Sequence, residues 1–123
     1  MAELKHMEIL KQGSKVWNEW RETHPEIRPD LRRANLKNID LRNYNLKRAN
    51  IRWAICVYAN FSGSDLSCSD LSHADLRNAD LSNSNLSNAN LSNCDLDNAN
   101  LDNANQEMAL FNRHRLFTKP AQK

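Results

Sequence analysis

The side chains that could support nucleophilic or metal-dependent chemistry are few and widely separated in this sequence. They are His6, His24, His73, His114, Cys56, Cys68 and Cys94. Local motifs that would bring such groups together, such as H-E-x-x-H, G-x-S-x-G, a Gly-rich phosphate loop or C-x-x-C, do not occur in the sequence. We therefore expect no enzymatic activity, no metal site and no cofactor.

A second group of side chains is suited to binding other molecules. Aromatic residues and arginine are enriched at the centres of protein interfaces, and arginine also pairs with carboxylates and phosphates. The candidate interaction residues are Trp53, Ile55, Val57, Tyr58, Arg32, Arg33, Arg42, Arg48 and Arg52. Whether they share a surface depends on the elements that position them.

The elements that position these residues can be predicted from a repeat of five residues in the sequence. Leucine, or a residue that can replace it, recurs at every fifth position from Leu31 to Leu101, in units of the form A-(D/N)-L-x-x. Neither an α-helix nor a flat strand can keep side chains five residues apart on one side. A chain that turns a corner every five residues, as in a parallel β-solenoid, points them all inward. The predicted axial core consists of Leu36, Leu41, Leu46, Ile51, Phe61, Leu66, Leu71, Leu76, Leu81, Leu86, Leu91 and Leu96.

These units, from Asp30 to about Asn105, resemble those of the pentapeptide-repeat family. The resemblance implies an all-β solenoid, a right-handed four-sided parallel β-helix with four units per coil and about four coils in this chain. We expect an N-terminal helical cap and lead-in over residues 1–28, the β-helix over residues 29–105, and a C-terminal cap or tail over residues 106–123.

The two ends do not follow the repeat. Residues 3–21 have the pattern of an amphipathic helix broken at Gly13 and Ser14, and we expect it to cover the open first coil and prevent end-to-end polymerisation. Ile39 and Tyr44 are larger than the usual small residue and are predicted to fill the space beneath this cap. Apolar and basic residues after Gln106 predict a short helix or tail, which caps the last coil or dimerises. The protein is thus expected to be a monomer, or a dimer through its C-terminal end.

Charge is ordered along the repeats. Residues 30–55 carry seven basic and two acidic side chains, a balance of +5, whereas residues 56–105 carry one basic and seven acidic side chains, a balance of −6. The solenoid should therefore be electrically bipolar along its axis. Two interpretations are open: Asp simply alternates with Asn at a turn-forming position, or the surface docks charged partners or other copies of the chain.

The aromatic and aliphatic patch from Trp53 to Tyr58 is also open to two interpretations. Its side chains fall at positions that should point outward, where a contiguous apolar patch indicates a binding surface. Alternatively, the N-terminal helix or the Trp17–Arg28 segment folds back over the patch. We prefer the covered arrangement, because Trp17 and Trp20 also need packing partners.

The leading functional hypothesis is a non-enzymatic scaffold or protein-interaction module that presents its solenoid walls to a protein partner. The family resemblance implies a second possibility, a DNA mimic that binds a type II topoisomerase, although this chain has leucine centres and a net charge of +2 instead of a strongly acidic surface. Weak nucleic-acid binding through the basic first coils is a third, and we expect nucleic acid to be an unlikely partner. Free thiols and no apolar run long enough for a membrane span favour a cytoplasmic location.

Overall fold

The computed structural model describes residues 1–111, which form two short helices followed by a stack of five-residue units. Helix α1 spans Leu4–Leu10 and helix α2 spans Ser14–Thr23. Strands β1 (Asn90–Leu91) and β2 (Leu110–Phe111) pair in parallel. Elsewhere the units are joined by single-residue parallel bridges, each linking a residue to the one twenty positions later, from Asp30 with Asn50 to Asn85 with Asn105. One coil therefore contains four five-residue units.

A tight turn forms the corner between successive units. In the first, Ala34 N donates a 3.1 Å hydrogen bond to Leu31 O, and Arg33 has a φ of 61°. This left-handed conformation recurs two residues after each axial position through Met108. The Asp or Asn before each axial residue accepts the N–H two residues later, as Asp65 Oδ1 does from Ser67 N at 3.0 Å. Asp and Asn are therefore favoured at this position because they close the turn, and Ile55 is the one exception between residues 30 and 105.

The core is a single column of apolar side chains along the axis of the coils. Each of the twelve residues predicted to form it is at most 3% exposed. The small residues two positions earlier, such as Ala49 and Ala59, are also buried and leave room for these larger side chains. Burial at about 1.5–3 kcal/mol for each large side chain opposes the entropy lost in ordering the chain.

The two helices pack against the open side of the first coil. Trp17 is fully buried, and its ring centroid lies 6.2 Å from that of Tyr44. Tyr44 is also buried, and its hydroxyl donates a 2.8 Å hydrogen bond to Leu10 O. Ile39 is partly buried against the same core. Tyr44 therefore fills the space beneath the helices, as its size predicted.

The solenoid extends beyond its predicted end at residue 105. Strand β2 pairs with β1, and Phe111 falls on the five-residue series after Gln106. Gln106 interrupts the apolar series but is only partly buried, so its amide can reach solvent at this end of the stack. The rest of the predicted C-terminal cap, including residues 113–117, lies outside the described residues.

Candidate protein-interaction face

One side of the solenoid carries a cluster of large apolar residues in the middle of the stack. Its outward column, which we call the Ile55 face, consists of the bridged residues Asn35, Ile55, Asp75 and Asp95. It is flanked by the Trp53 corner (Arg33, Trp53, His73 and Asn93) and the Tyr58 corner (Asn38, Tyr58, Asn78 and Asn98), each a column of left-handed residues. The four patch residues predicted from the sequence therefore lie in one coil, across a single face and both of its corners.

The patch is open to solvent. Trp53, Ile55 and Tyr58 are 46%, 44% and 59% exposed, and Val57 is partly buried. The N-terminal helices contact the end of the first coil, where residues such as Tyr44 and Asn45 lie. The preferred expectation that the N-terminal segment covers the patch is therefore wrong, because Trp17 and Trp20 find their partners in each other, in His6 and in Tyr44.

The Trp53 side chain is held rigidly within a stack along its corner. The imidazole of His73, one coil further on, lies parallel to the indole with a centroid distance of 4.3 Å and an angle of 7°. Arg33, one coil earlier, places its Cζ 5.3 Å from the indole centroid. Because these neighbours stack on its ring, Trp53 offers its edge to a partner. Sequence reasoning missed this stack, although residues 33, 53 and 73 are spaced by the twenty residues of one coil that the family resemblance implied.

Two patch residues adopt a backbone conformation that does not suit them. Trp53 and Tyr58 have φ values of 62° and 61°, whereas Asn occupies the equivalent position at eight other corners. Left-handed backbone costs a residue with a large side chain about 1–2 kcal/mol, and Asn tolerates it better. Such strain, when it coincides with exposed aromatic side chains, is a mark of functional positions.

The five candidate arginines do not form one cluster. Arg42 pairs with Asp40 through hydrogen bonds of 2.9 and 2.8 Å, at a different corner. Arg48 donates to Pro25 O at 3.3 Å and lies at another corner again. The remaining three, Arg32, Arg33 and Arg52, meet at the base of the Trp53 corner.

These three arginines line a surface cleft of about 260 Å³ together with Met1, Asn50 and Trp53. Arg32 forms a bidentate pair with Asp30, both distances being 2.8 Å. Arg52 is held more loosely, with Nε 4.0 Å from Asp70 Oδ2. The cleft therefore joins basic groups to the edge of the apolar patch.

The far end of the Ile55 face is acidic. Arg77 donates to both carboxylate oxygens of Asp75, at 2.8 and 2.7 Å, and its Nε lies 3.9 Å from Asp95 Oδ2. These hydrogen bonds from Arg77 lower the pKa of Asp75. The face therefore runs from basic, through apolar, to acidic side chains along the solenoid axis.

Most acidic residues of the later coils lie at the turn-forming position, which Asp shares with Asn. Asp65, Asp70 and Asp80 each accept the backbone N–H and the hydroxyl of a serine two residues later, with Oγ to Oδ1 distances of 2.6 Å. Asn90 accepts the same bond from Ser92 at 2.7 Å. Either residue type can therefore close the turn, and only Asp adds charge to the wall.

The three cysteines considered first for catalysis differ in their exposure. Cys56 and Cys94 are buried and Cys68 is exposed. Within residues 1–111, no three His, Cys, Asp or Glu side chains lie close enough to hold a metal ion. Neither α1 nor α2, the helices of the described part of the chain, is long and apolar enough to cross a membrane.

Comparison with solved structures gives several similar pentapeptide repeat proteins. A protein from Nostoc PCC 7120, alr5209, is 30% identical over 79% of this chain and 86% of its own, with a TM-score of 0.39. Rfr23 from Cyanothece 51142 is 32% identical over 69% of this chain and 66% of its own, with a TM-score of 0.32. HetL from Nostoc PCC 7120, involved in heterocyst differentiation regulation, is 32% identical over 65% of this chain and 44% of its own, with a TM-score of 0.31.

The comparison with curated proteins found no match. The family model for pentapeptide repeats matches the chain in eight copies, over residues 30–55, 45–83 and 84–105. These ranges cover the whole stack of A-(D/N)-L-x-x units apart from its last turn. The chain therefore belongs to the pentapeptide-repeat family, whose fold is a right-handed β-helix.

Proposed function

We propose that this protein is a non-enzymatic interaction module whose protein partner docks on the Ile55 face and the two corners beside it. Proteins of the family generally serve as structural or interaction modules. The observation that carries the proposal is the exposed Trp53, Ile55 and Tyr58 cluster on a wall that is otherwise polar. Aromatic side chains held rigidly at the centre of a surface are the usual anchors of protein interfaces.

The other functions considered have weaker support. Binding to nucleic acid through the basic first coils is less supported, because two of the basic side chains there, Arg32 and Arg42, are in bidentate pairs with Asp. A DNA mimic requires unbroken negative charge, and here the acidic coils share a wall with apolar and basic residues. The apolar patch has no role in either alternative.

We also propose that the N-terminal helices cap a β-helix of about four coils. The first coil has no preceding coil, so the backbone groups along its outer edge need other hydrogen-bond partners. Trp17 donates to Asn45 O, Asn18 Oδ1 accepts from Asn45 N, and Arg21 donates to Lys47 O. Satisfied edge groups do not template the addition of another strand, so this arrangement prevents end-to-end association.

The test is a pull-down from the native host's lysate with a variant that removes the aromatic anchors without disturbing the fold. Trp53→Asn combined with Tyr58→Asn introduces the residue used at eight other corners. The matched control is Asn83→Gly combined with Asn88→Gly, since these left-handed residues flank Asn85 on the opposite face. Glycine accepts the left-handed conformation without strain.

We expect a partner that is captured by the wild type and by the control and lost by the Trp53 and Tyr58 variant. Circular dichroism and a thermal melt must show that both variants fold. Capture of the same proteins by all three would mean that the patch has no interaction role, and the proposal would be abandoned.

A further inference from the structure

We infer that the Ile55 face recognises an acidic segment of its protein partner, with a partner carboxylate in the cleft beside Arg33 and Arg52. The inference rests on the proposed interaction function and adds the chemistry of the partner. In this arrangement, an apolar side chain next to that carboxylate packs on Ile55, between Trp53 and Tyr58.

The state of the cleft arginines supports a bound carboxylate. Arg32 is fully engaged by Asp30, but Arg52 has only the long 4.0 Å approach to Asp70. Arg33 has no carboxylate within 4.0 Å among residues 1–111. Two guanidinium groups therefore keep donors available at one corner, and guanidinium binds carboxylate through two parallel hydrogen bonds.

Arg33 is also positioned before any partner arrives. Its guanidinium lies over the Trp53 indole, which His73 supports on the other side. A cation held against an aromatic ring loses less side-chain entropy when it binds, so the stack favours recognition of an anion at this place. Trp53 and Ile55 are two residues apart in the same coil, so an apolar side chain beside the bound carboxylate would sit next to both.

The rest of the face favours a protein segment over a nucleic acid. Asp75 and Asp95 follow Ile55 in the same column, and Asp97 lies two residues after Asp95 in the chain. These carboxylates lie one to three coils beyond the arginines of the cleft, which is roughly 5–15 Å along the axis at about 4.8 Å per coil. Arg77 compensates one of these three carboxylates, so this end of the face keeps a net negative charge, which disfavours a nucleic acid with phosphates along its whole length. A polypeptide can place its acidic residue at the cleft and uncharged or basic residues further on.

The inference can be tested by NMR titration of the full chain labelled with ¹⁵N, at low ionic strength. The probes are a blocked tetrapeptide of two glutamates, leucine and serine, its counterpart with two lysines in place of the glutamates, and a twelve-nucleotide single-stranded DNA. We expect the glutamate peptide to shift the signals of the Trp53 indole and of the Arg33 and Arg52 Nε groups until they saturate. Added salt should weaken the binding of this peptide. The lysine peptide should leave these signals in place.

A matched pair of variants locates the site. Arg33→Asn combined with Arg52→Gln should lower the affinity for the glutamate peptide by about tenfold or more, because the double substitution removes charge-assisted hydrogen bonds. Arg42→Gln, at a different corner and paired with Asp40, should leave the affinity unchanged. Dispersed spectra of both variants show that they are folded.

Three results would overturn the inference: equal shifts with the two peptides, equal affinity in the Arg33 and Arg52 variant, or DNA shifting the same signals at lower concentration than the glutamate peptide. If the glutamate peptide does not bind while the Trp53 and Tyr58 variant still loses its captured partner, acidic recognition is wrong and the interaction module stands. The two proposals therefore fail separately.

Discussion

The indole Nε1 of Trp17 donates a 2.7 Å hydrogen bond to the carbonyl oxygen of Asn45. In every later coil the equivalent carbonyl accepts from a backbone N–H of the coil before it, as Asp65 O does from Leu46 N at 2.8 Å. The Trp17 indole N–H thus takes the place of the backbone N–H that a preceding coil would donate. Asn18 completes the replacement by accepting from Asn45 N at 2.7 Å and donating to Asn43 O at 3.0 Å.

Replacing Asn18 with alanine should destabilise the protein by about 1–3 kcal/mol, because it leaves a partly buried N–H of Asn45 without its partner. Chemical denaturation followed by circular dichroism measures the change in the free energy of unfolding. Glu22→Ala, at an exposed position of the same helix, is the control and should change stability little. Equal denaturation midpoints for the two variants would contradict the edge-pairing role of Asn18.

Replacing Ile55 with asparagine should stabilise the protein while weakening partner binding. Ile55 occupies the one position between residues 30 and 105 where the residue before the axial side chain cannot accept the N–H two residues later, that of Val57. Asparagine would supply that hydrogen bond, worth about 0.5–1.5 kcal/mol. Thermal melts of Ile55→Asn and Ile55→Ala provide the comparison, since alanine removes the apolar side chain without adding an acceptor. Identical melting temperatures would count against this explanation.

Replacing Leu81 with aspartate should unfold the β-helix, because Leu81 is fully buried on the axis and the new carboxylate would have no partner there. The milder Leu81→Ala should cost about 2–5 kcal/mol and leave a cooperative transition. Circular dichroism and thermal melts measure both. A β-type spectrum with an unchanged melt in Leu81→Asp would contradict the axial position of this residue.

Stability should fall in acid between about pH 4 and pH 2. Hydrogen bonds from Arg42 lower the pKa of Asp40 to about 2, and Arg32 and Arg77 likewise lower the pKa of Asp30 and Asp75. A carboxyl group whose pKa is lower in the folded state stabilises the protein above its unfolded pKa, and this contribution disappears as pH falls through the folded value.

The variant Asp40→Asn tests this acid dependence, because asparagine keeps the acceptor for the turn but no longer titrates. Its melting temperature should depend less on pH below 4 than that of the wild type. Asp102→Asn is the control, since Asp102 has no basic side chain within 4.0 Å in the described part of the chain. The same pH profile for wild type and Asp40→Asn would rule out the contribution of this pair.

Cys68 should be the single cysteine that reacts rapidly with an aromatic disulfide reagent in the folded protein. Cys68 is exposed, whereas Cys56 and Cys94 are buried, and burial raises the pKa of the Cys56 thiol. The absorbance of the released thiolate should therefore correspond to one thiol in buffer and three in denaturant. Cys68→Ser should abolish the fast phase, and a remaining fast phase would contradict the burial of the other two.

The inward and outward positions could be predicted because every unit repeats the same small, turn-forming and axial residues. The alignment of one coil on the next came from the family resemblance alone, since the sequence between Leu31 and Leu101 carries no twenty-residue pattern above the five-residue one. The stacking of His73 on Trp53 and the meeting of Arg33 with Arg52 both depend on that alignment. The solvent exposure of the patch also required the structure, because it depends on where the N-terminal helices pack.

The β-helix has two repeat lengths, five residues for the inward positions and twenty residues for the bridged columns. Insertions or duplications in this chain therefore affect the core and the faces differently. An insertion of five residues keeps every axial side chain inside, yet it moves all later residues a quarter of the way around the coil. His73 would then leave Trp53 and join another corner, and the graded Ile55 face would be divided between two walls. Only insertions of twenty residues preserve both core and faces. The fold therefore constrains a residue by its position within five, whereas recognition constrains it by its position within twenty.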